Sequence, residues 1–271
     1  MTKDQARPLL AEQAIPLPPK GPNRAVGIAL LLVEKVAEWQ PIGASDIARR
    51  LDLPKATVHR LLLALETFGW LERDLENRPL WSVSMRPIAV GGRAIERING
   101  LRMAALSVMD ILRHTTGETV HLGLVDGDHI SLIERIDGLK SVNVFLPVGT
   151  SWALNWSSSG KAVLAHMSET EQARYLSTPR LHRKSETDII PSAQLAEELE
   201  HIRERGYAMS VGLPPSATSS IGTAIFDKAG RPFAGISITG AADRLGEQEL
   251  IALAPHLMSA ARSISMGMNM D

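Results

Sequence analysis

The chain has 271 residues, 44% of them hydrophobic and 22% charged, with 29 Lys and Arg against 30 Asp and Glu. A length of this order suits two domains of roughly 100–200 residues each, and the near-neutral balance means that any nucleic-acid binding must rest on a local basic cluster. The absence of cysteine excludes a disulfide scaffold and thiolate metal sites, and no stretch approaches the ~18 uninterrupted apolar residues of a membrane span.

Met1 to Pro22 lacks the apolar core of a signal peptide and holds Pro8, Pro16, Pro18, Pro19 and Pro22. Proline removes backbone donors and restricts the preceding residue, so residues 1–22 read as a flexible tail. Without a targeting segment a cytoplasmic location is expected. From Asn23 the pattern changes. Val26, Leu30, Val33 and Ala37 recur at helical spacing, which predicts an amphipathic helix from Arg24 to Trp39.

Pro41 ends that helix, and Gly43 with Asp46 three residues on resembles a weak helix start. A short helix from Asp46 to Leu51 turns Ile47 and Leu51 inward and leaves Arg49 and Arg50 to solvent. Asp52-Leu53-Pro54 is a turn, and Pro54 suits the first position of the next helix, Lys55 to Phe68. There Val58, Leu61, Leu62 and Leu65 share one face, Ala56, His59 and Arg60 face away from it, and Thr57 lies at its edge. Gly69 closes the helix. Trp70 to Arg73 and Leu80 to Val83, joined by the polar tip Asp74 to Arg78, read as a β-hairpin.

A short helix, a tight turn and a second helix with a basic outer face are the parts of a helix-turn-helix, whose second helix enters the major groove. Between Arg49 and Arg60 stand four basic residues and one acid, Asp52. Small side chains at Ala56 and Thr57 let the backbone approach base edges, and Arg60 can bind guanine or phosphate. The competing reading of the same pattern is a three-helix bundle whose outer face is merely solvated.

Further on, Arg86 to His114 is largely helical in pattern, with Ile95, Ile98, Leu101, Ala105, Val108 and Leu112 as a broad stripe interrupted near Asn99-Gly100. Thr119 to Val125 and His129 to Ile136, with Asp126-Gly127-Asp128 between them, predict a hairpin, and Val142 to Leu146 continues the sheet. Ser159 is placed to cap a helix through Ala165, and Ser192 to cap another reaching Arg205. Ile221 to Phe226 and Pro232 to Thr239 form a second hairpin, and Glu247 to Met268 a closing helix. The sum is an antiparallel sheet with helices packed on it, able to close over a small ligand.

The run from Asp46 through Arg60 to Leu62, ending in Leu71-Glu72-Arg73-Asp74, resembles the winged helix-turn-helix of IclR-type bacterial transcriptional regulators. The C-terminal part is similar to the same family at Val148-Gly149, at Ser159-Gly160-Lys161-Ala162, at Arg205-Gly206-Tyr207-Ala208 and at Gly235-Ile236-Ser237-Ile238-Thr239-Gly240. The resemblance implies two domains: an N-terminal α-helical winged helix-turn-helix with a β wing over 23–85, and a C-terminal α+β, GAF-like effector-binding domain with an antiparallel sheet over 115–271. Residues 86–114 would be the linker helix region between them. It also implies a dimer or tetramer bound to double-stranded DNA at a pseudo-palindromic promoter site and answering to a small organic acid.

The expected DNA-binding set is Arg49, Lys55, Ala56, Thr57, His59, Arg60 and Arg78, the last from the wing tip. Family motifs make Ser158, Ser159, Ser220, Ser237 and Thr239 the polar candidates for effector binding. Free N–H groups at the helix start after Ser159 suit a carboxylate, and Trp152 and Trp156 could cover an apolar part. A plainer account makes these serines caps and the tryptophans core. This chain departs from the family pattern in having Asp52 for a glycine in the turn, Asn77-Arg78-Pro79 at the wing tip, and Ser210-Val211-Gly212 and Ser220 for an acidic pair and a cysteine.

Two enzyme-like motifs lack their companions. Ser159-Gly160-Lys161 has Asn155 where a phosphate loop needs glycine. Ser158-x-x-Lys161 fits a Ser-Lys hydrolase, but no Ser-Asp-Asn or Lys-Thr-Gly accompanies it. The eight histidines form no ligand cluster. The expectation is therefore a regulator with no catalytic residues, metal or cofactor. A winged-helix module that binds protein and no ligand is the alternative.

Overall fold

The computed structural model describes residues 21, 23–74, 79–140, 146–178, 190–213 and 218–268. The chain divides between Ile98 and Asn99 into two compact units. The N-terminal unit runs α1 (Arg24–Trp39), β1 (Ile42–Gly43), α2 (Ala44–Arg50), α3 (Lys55–Thr67), β2 (Leu71–Asp74), β3 (Leu80–Val83) and α4 (Arg86–Arg97). Its core gathers Ile28, Leu32 and Val36 of α1, Ile47 of α2, Val58 and Leu62 of α3, and Trp81 of β3.

The limits of α1 are those its periodicity predicts, but the buried stripe is different. Ile28, Leu32 and Val36 are buried, whereas Val26 and Leu30 are exposed. Apolar residues occupy more than one side of this helix. A shift of two residues turns the stripe by about 200°, and the packing of α2, α3 and Trp81 selects the phase. Between α2 and α3 the chain turns through Asp52 at φ 49, the left-handed conformation that Asp tolerates better than most residues. Leu53 N–H then donates to Ala48 O at 3.0 Å. Pro54 stands just before the first turn of α3, its carbonyl accepting from Thr57 and Val58 N–H.

The sheet order is β1-β3-β2, all antiparallel. Strand β1, where the spacing of Gly43 and Asp46 suggests only a helix start, pairs Ile42 with Trp81 and Gly43 with Leu80. Helix α4 contains no buried residue among those described, and its Ile88, Val90 and Ile95 are exposed.

The C-terminal unit begins with α5 (Asn99–Thr116), then β4 (Thr119–Asp126), β5 (His129–Ile136) and β6 (Ser151–Ala153). A 3-10 turn (Leu154–Trp156) leads to α6 (Ser158–His166), α7 (Glu169–Leu176) and α8 (Ser192–Arg205). The chain closes with β7 (Ala208–Leu213), β8 (Thr218–Phe226), β9 (Pro232–Ala241) and α9 (Glu247–Gly267). Its sheet has the order β6-β5-β4-β9-β8-β7, antiparallel throughout. Both expected hairpins are present, as β4–β5 and β8–β9. The strand expected at Val142 to Leu146 lies, apart from Leu146, outside the described residues, as does the proline-rich tail apart from Gly21 and as do the wing-tip residues 75–78.

Strand alternation sorts the two faces. Val120, Leu122, Ile221, Ile236 and Ile238 pack with Leu101, Met109 and Leu112 of α5 and Leu250, Leu257 and Ile264 of α9. The other face is covered by α6 and α8, with Leu154, Leu164, Leu195 and Ile202 in its core. Helix α5, expected as part of a linker, thus supplies core to the sheet.

Two expected caps are corrected. Ser157 caps α6, its Oγ accepting from Gly160 N–H at 3.0 Å, because the helix starts earlier than Ser159. Ser192 Oγ instead donates to Leu176 O, since Pro191 holds the cap position of α8. Helix α7 was not expected, although Ser168 and Glu171 form a complete capping box at its start.

Candidate nucleic-acid interface and effector pocket

On α3, Lys55, Ala56, His59 and Arg60 are exposed, and Thr57 is half-buried at the edge of the core. Lys55, His59 and Arg60 make no side-chain ion pair among the described residues, so their hydrogen-bonding capacity faces solvent. The neighbouring arginines are more committed. Arg49 Nη2 donates to Asp46 Oδ1 at 3.1 Å on an exposed surface, and the Arg50 guanidinium lies over the Trp39 ring at 4.8 Å. The fold thus brings Arg49, Lys55, Ala56, Thr57, His59 and Arg60 onto α2 and α3, while Arg78 lies outside the described residues.

The second constellation lies where α6 meets β8 and β9. Gly222 and Gly235 let the helix settle onto the sheet: a Cβ on Gly222 would fall 2.3 Å from Ser159 N, and one on Gly235 3.0 Å from Ser159 Cβ. This approach sets Ser158 Oγ 2.9 Å from Ser220 Oγ. Ser220 pairs with Thr239 across β8–β9, and Ser237 pairs with His121 across β4–β9. His121 Nδ1 meets Thr239 Oγ1 at 3.2 Å. Ser158, Ser159, Ser237 and Thr239 are buried.

Trp152 and Trp156 pack edge to face with ring centroids 5.6 Å apart. Beside them a cavity of about 230 Å³ has a polar wall of Asn155, Lys161, Glu198 and Ser210 and an apolar one of Trp156, Met209 and Val211. Of the helix-start N–H groups expected to meet a carboxylate, that of Gly160 is already taken by the Ser157 cap.

The sequence pattern did not single out His121, Lys161 or Ser210 as site residues. His121 is detectable by alternation, but only once β4 is known to lie beside β9. In the Ser158-x-x-Lys161 motif each side chain has another partner: Ser158 Oγ is bonded to Ser220 Oγ, and Lys161 Nζ donates to Glu198.

Burial, and then the charge of Arg135, push the His121 pKa down from 6.5 to about 3. The folded value lies below the unfolded one, so as pH falls the unfolded chain takes up the proton first. The stabilisation is complete above about pH 6.5 and is lost progressively toward pH 3. At pH 5 the loss should be about 2 kcal/mol at 1.36 kcal/mol per pKa unit. Urea unfolding of the wild type and of His121→Gln at pH 7.5 and 5 checks this; equal pH slopes for the two proteins would contradict it.

Residues 25–75 match the IclR helix-turn-helix domain, and residues 93–266 match the bacterial transcriptional regulator IclR C-terminal domain. The chain is 35% identical over 249 residues to the HTH-type transcriptional regulator BhcR of Paracoccus denitrificans, covering 92% of this chain and 88% of that protein. Its structure is similar to the crystal structure of the Thermotoga maritima IclR, with a TM-score of 0.68 at 28% identity over 90% of this chain and 98% of that one. The fold also resembles an IclR homologue from Microbacterium hydrocarbonoxydans complexed with 4-hydroxybenzoate, with a TM-score of 0.70 at 23% identity, covering 90% of this chain and 98% of that chain. The chain belongs to the IclR family of DNA-binding transcriptional regulators, and its relatives are regulators, not enzymes. Among the described residues, no helix is long and apolar enough to cross a membrane.

Proposed function

We propose that this chain binds a pseudo-palindromic operator in the bacterial cytoplasm as a dimer or tetramer and releases or rearranges on it when a small organic acid binds the C-terminal domain. The observation that carries the reading is the face of α3, where Lys55, Ala56, His59 and Arg60 stand exposed at the N-terminal half of a recognition helix. Arg49 and, from the wing, Arg78 would add phosphate contacts. The exposed Ile88, Val90 and Ile95 of α4 support self-association, with the 86–114 region linking the domains.

The effector would lie among Ser158, Ser159, Ser220, Ser237 and Thr239, with Trp152 and Trp156 beside it. A relative complexed with 4-hydroxybenzoate supports an acid as the ligand class. The ligand must prefer one arrangement of the DNA-binding domains, because equal affinity for both shifts nothing.

Retention of the purified protein on its own upstream DNA, against an unrelated fragment across a salt series, tests the reading. Specific, salt-sensitive retention is expected. Arg60→Ala should weaken it by about 1–3 kcal/mol if Arg60 makes a bidentate base contact. Equal, weak binding to both fragments, or an unchanged affinity for Arg60→Ala, would count against it.

A further inference from the structure

The cavity beside Trp156 has more hydrogen-bond donors than the protein uses. Tyr175 Oη donates to Asn155 Oδ1 at 2.7 Å and accepts from Asn155 N–H at 3.1 Å. The amide oxygen is therefore spoken for, and Nδ2 is the unspent end. Asn155 is 1% exposed and its Nδ2 finds no partner among the described residues; neither does Ser210 Oγ. Lys161 Nζ gives one hydrogen to Glu198 and another, at 3.5 Å, to Met209 O, which leaves a third. An unsatisfied buried donor costs about 1–3 kcal/mol, so two on one wall, with a spare ammonium hydrogen of Lys161 beside them, call for an acceptor-rich guest.

The carboxylate already present on that wall is Glu198, and its position is asymmetric. The Lys161 side chain is 6% exposed, whereas that of Glu198, on α8, is 30% exposed. Glu198 can return to water at small cost; Lys161 cannot, and a buried cation left alone is expensive. We infer that this cavity is a carboxylate site, and that Glu198 occupies in the free protein the place an effector's carboxylate takes.

This inference rests on the acid-effector reading above and gives the acid its anchoring points. The entering carboxylate accepts from Lys161 Nζ, Asn155 Nδ2 and Ser210 Oγ while Glu198 swings to solvent. One anion replaces another beside Lys161, so the charge balance of the interior is unchanged. The exchange also severs the Lys161–Glu198 link between α6 and α8, which makes ligand entry a mechanical event in the fold. Because Glu198 competes for Lys161, the free protein holds the site partly closed and lowers its apparent affinity.

The test titrates the full chain with sodium acetate, benzoate and succinate against sodium chloride of equal ionic strength, following the part of the intrinsic tryptophan fluorescence that is lost in Trp156→Phe, since the chain has five tryptophans. A saturable response to at least one acid is expected. Glu198→Gln should bind that acid about fivefold tighter or more, and Lys161→Met should abolish the response. Asn155→Asp keeps the acceptor for Tyr175 but replaces the donor with an anion, and should weaken binding roughly tenfold or more. Thermal unfolding of each variant separates these effects from loss of fold.

A Glu198→Gln affinity equal to or weaker than wild type would overturn the inference. So would the lack of a saturable response to any of the three acids in both wild type and Glu198→Gln. Equal binding by wild type, Lys161→Met and Asn155→Asp, with loss only in Ser237→Leu, would overturn this site and keep the effector reading. Operator retention in the same samples reports separately on the regulator function.

Discussion

Gly222→Ala is expected to destabilise the C-terminal unit by about 3 kcal/mol, the upper part of the range for forcing an extra carbon into a packed interior, and to remove the acid response with it. The added Cβ would fall 2.3 Å from Ser159 N, 2.5 Å from Ser158 C and 2.6 Å from Ser159 Cα. All three are backbone atoms of the first turn of α6, so no side-chain rotation can relieve the contact. The helix start must lift, and it cannot lift freely: Gly160 would bring its own Cβ within 2.3 Å of Leu154 O if it had one, which shows how tightly the 3-10 turn holds the other side of that turn.

Lifting α6 moves Ser158 away from Ser220, now 2.9 Å apart, and opens the wall that carries Lys161. Urea unfolding measures the stability, and the fluorescence titration the response. Gly91→Ala is the control, because Gly91 lies within α4 and a Cβ there would meet nothing within 4 Å; it should be neutral or slightly stabilising. If Gly222→Ala unfolds within about 0.5 kcal/mol of the wild type, the close approach of helix to sheet is not a constraint on the fold.

Local chemistry was legible from residues alone, and long-range pairing was not. Asp52 in the turn could be assigned a left-handed backbone because Asp accepts it, and its φ is 49. The hairpins β4–β5 and β8–β9 were legible because each joins neighbours in sequence. The serine constellation where α6 meets β8 and β9 was legible only in fragments. Its geometry depends on β4 lying beside β9, which brings His121 against Thr239 from 118 residues away, and alternation within a strand does not say which strand is next to it.

The three serines from Ser157 to Ser159 show the same limit at short range. Any of them could cap a helix, and only the approach of α6 to Gly222 decides that Ser157 caps, Ser158 reaches Ser220 and Ser159 packs on the sheet. In α1 two apolar stripes competed, and the choice between Leu30 and Leu32 as the buried residue was made by Trp81 and the helices around it.

Trp81 also carries the second large expected effect. Trp81→Ala should cost the N-terminal unit about 3–5 kcal/mol. The ring is 1% exposed and is the largest fully buried side chain. It stands on the central strand of a three-stranded sheet, opposite Ile42 on one side and Arg73 on the other, and it shares a core with Leu32, Ile47 and Leu62. The Arg73 guanidinium lies 5.3 Å from its ring centroid while Arg73 Nε donates to Glu66 at 3.2 Å, so the indole ties the wing to the end of α3 as well as filling the interior.

A small unit has few other contacts from which to recover such a loss, and total stabilities are typically only about 5–15 kcal/mol. The expected result is a new low-temperature unfolding transition, with retention on operator and unrelated DNA both lost, because α3 would no longer be held rigid. This differs from Arg60→Ala, which should weaken specific retention while leaving the melting curve unchanged. Trp81→Phe should restore most of the stability by refilling the core. The acid titration should survive Trp81→Ala, since the carboxylate cavity is built from the C-terminal unit alone. Undiminished operator retention by Trp81→Ala at 37 °C would mean that α3 keeps its place without this core.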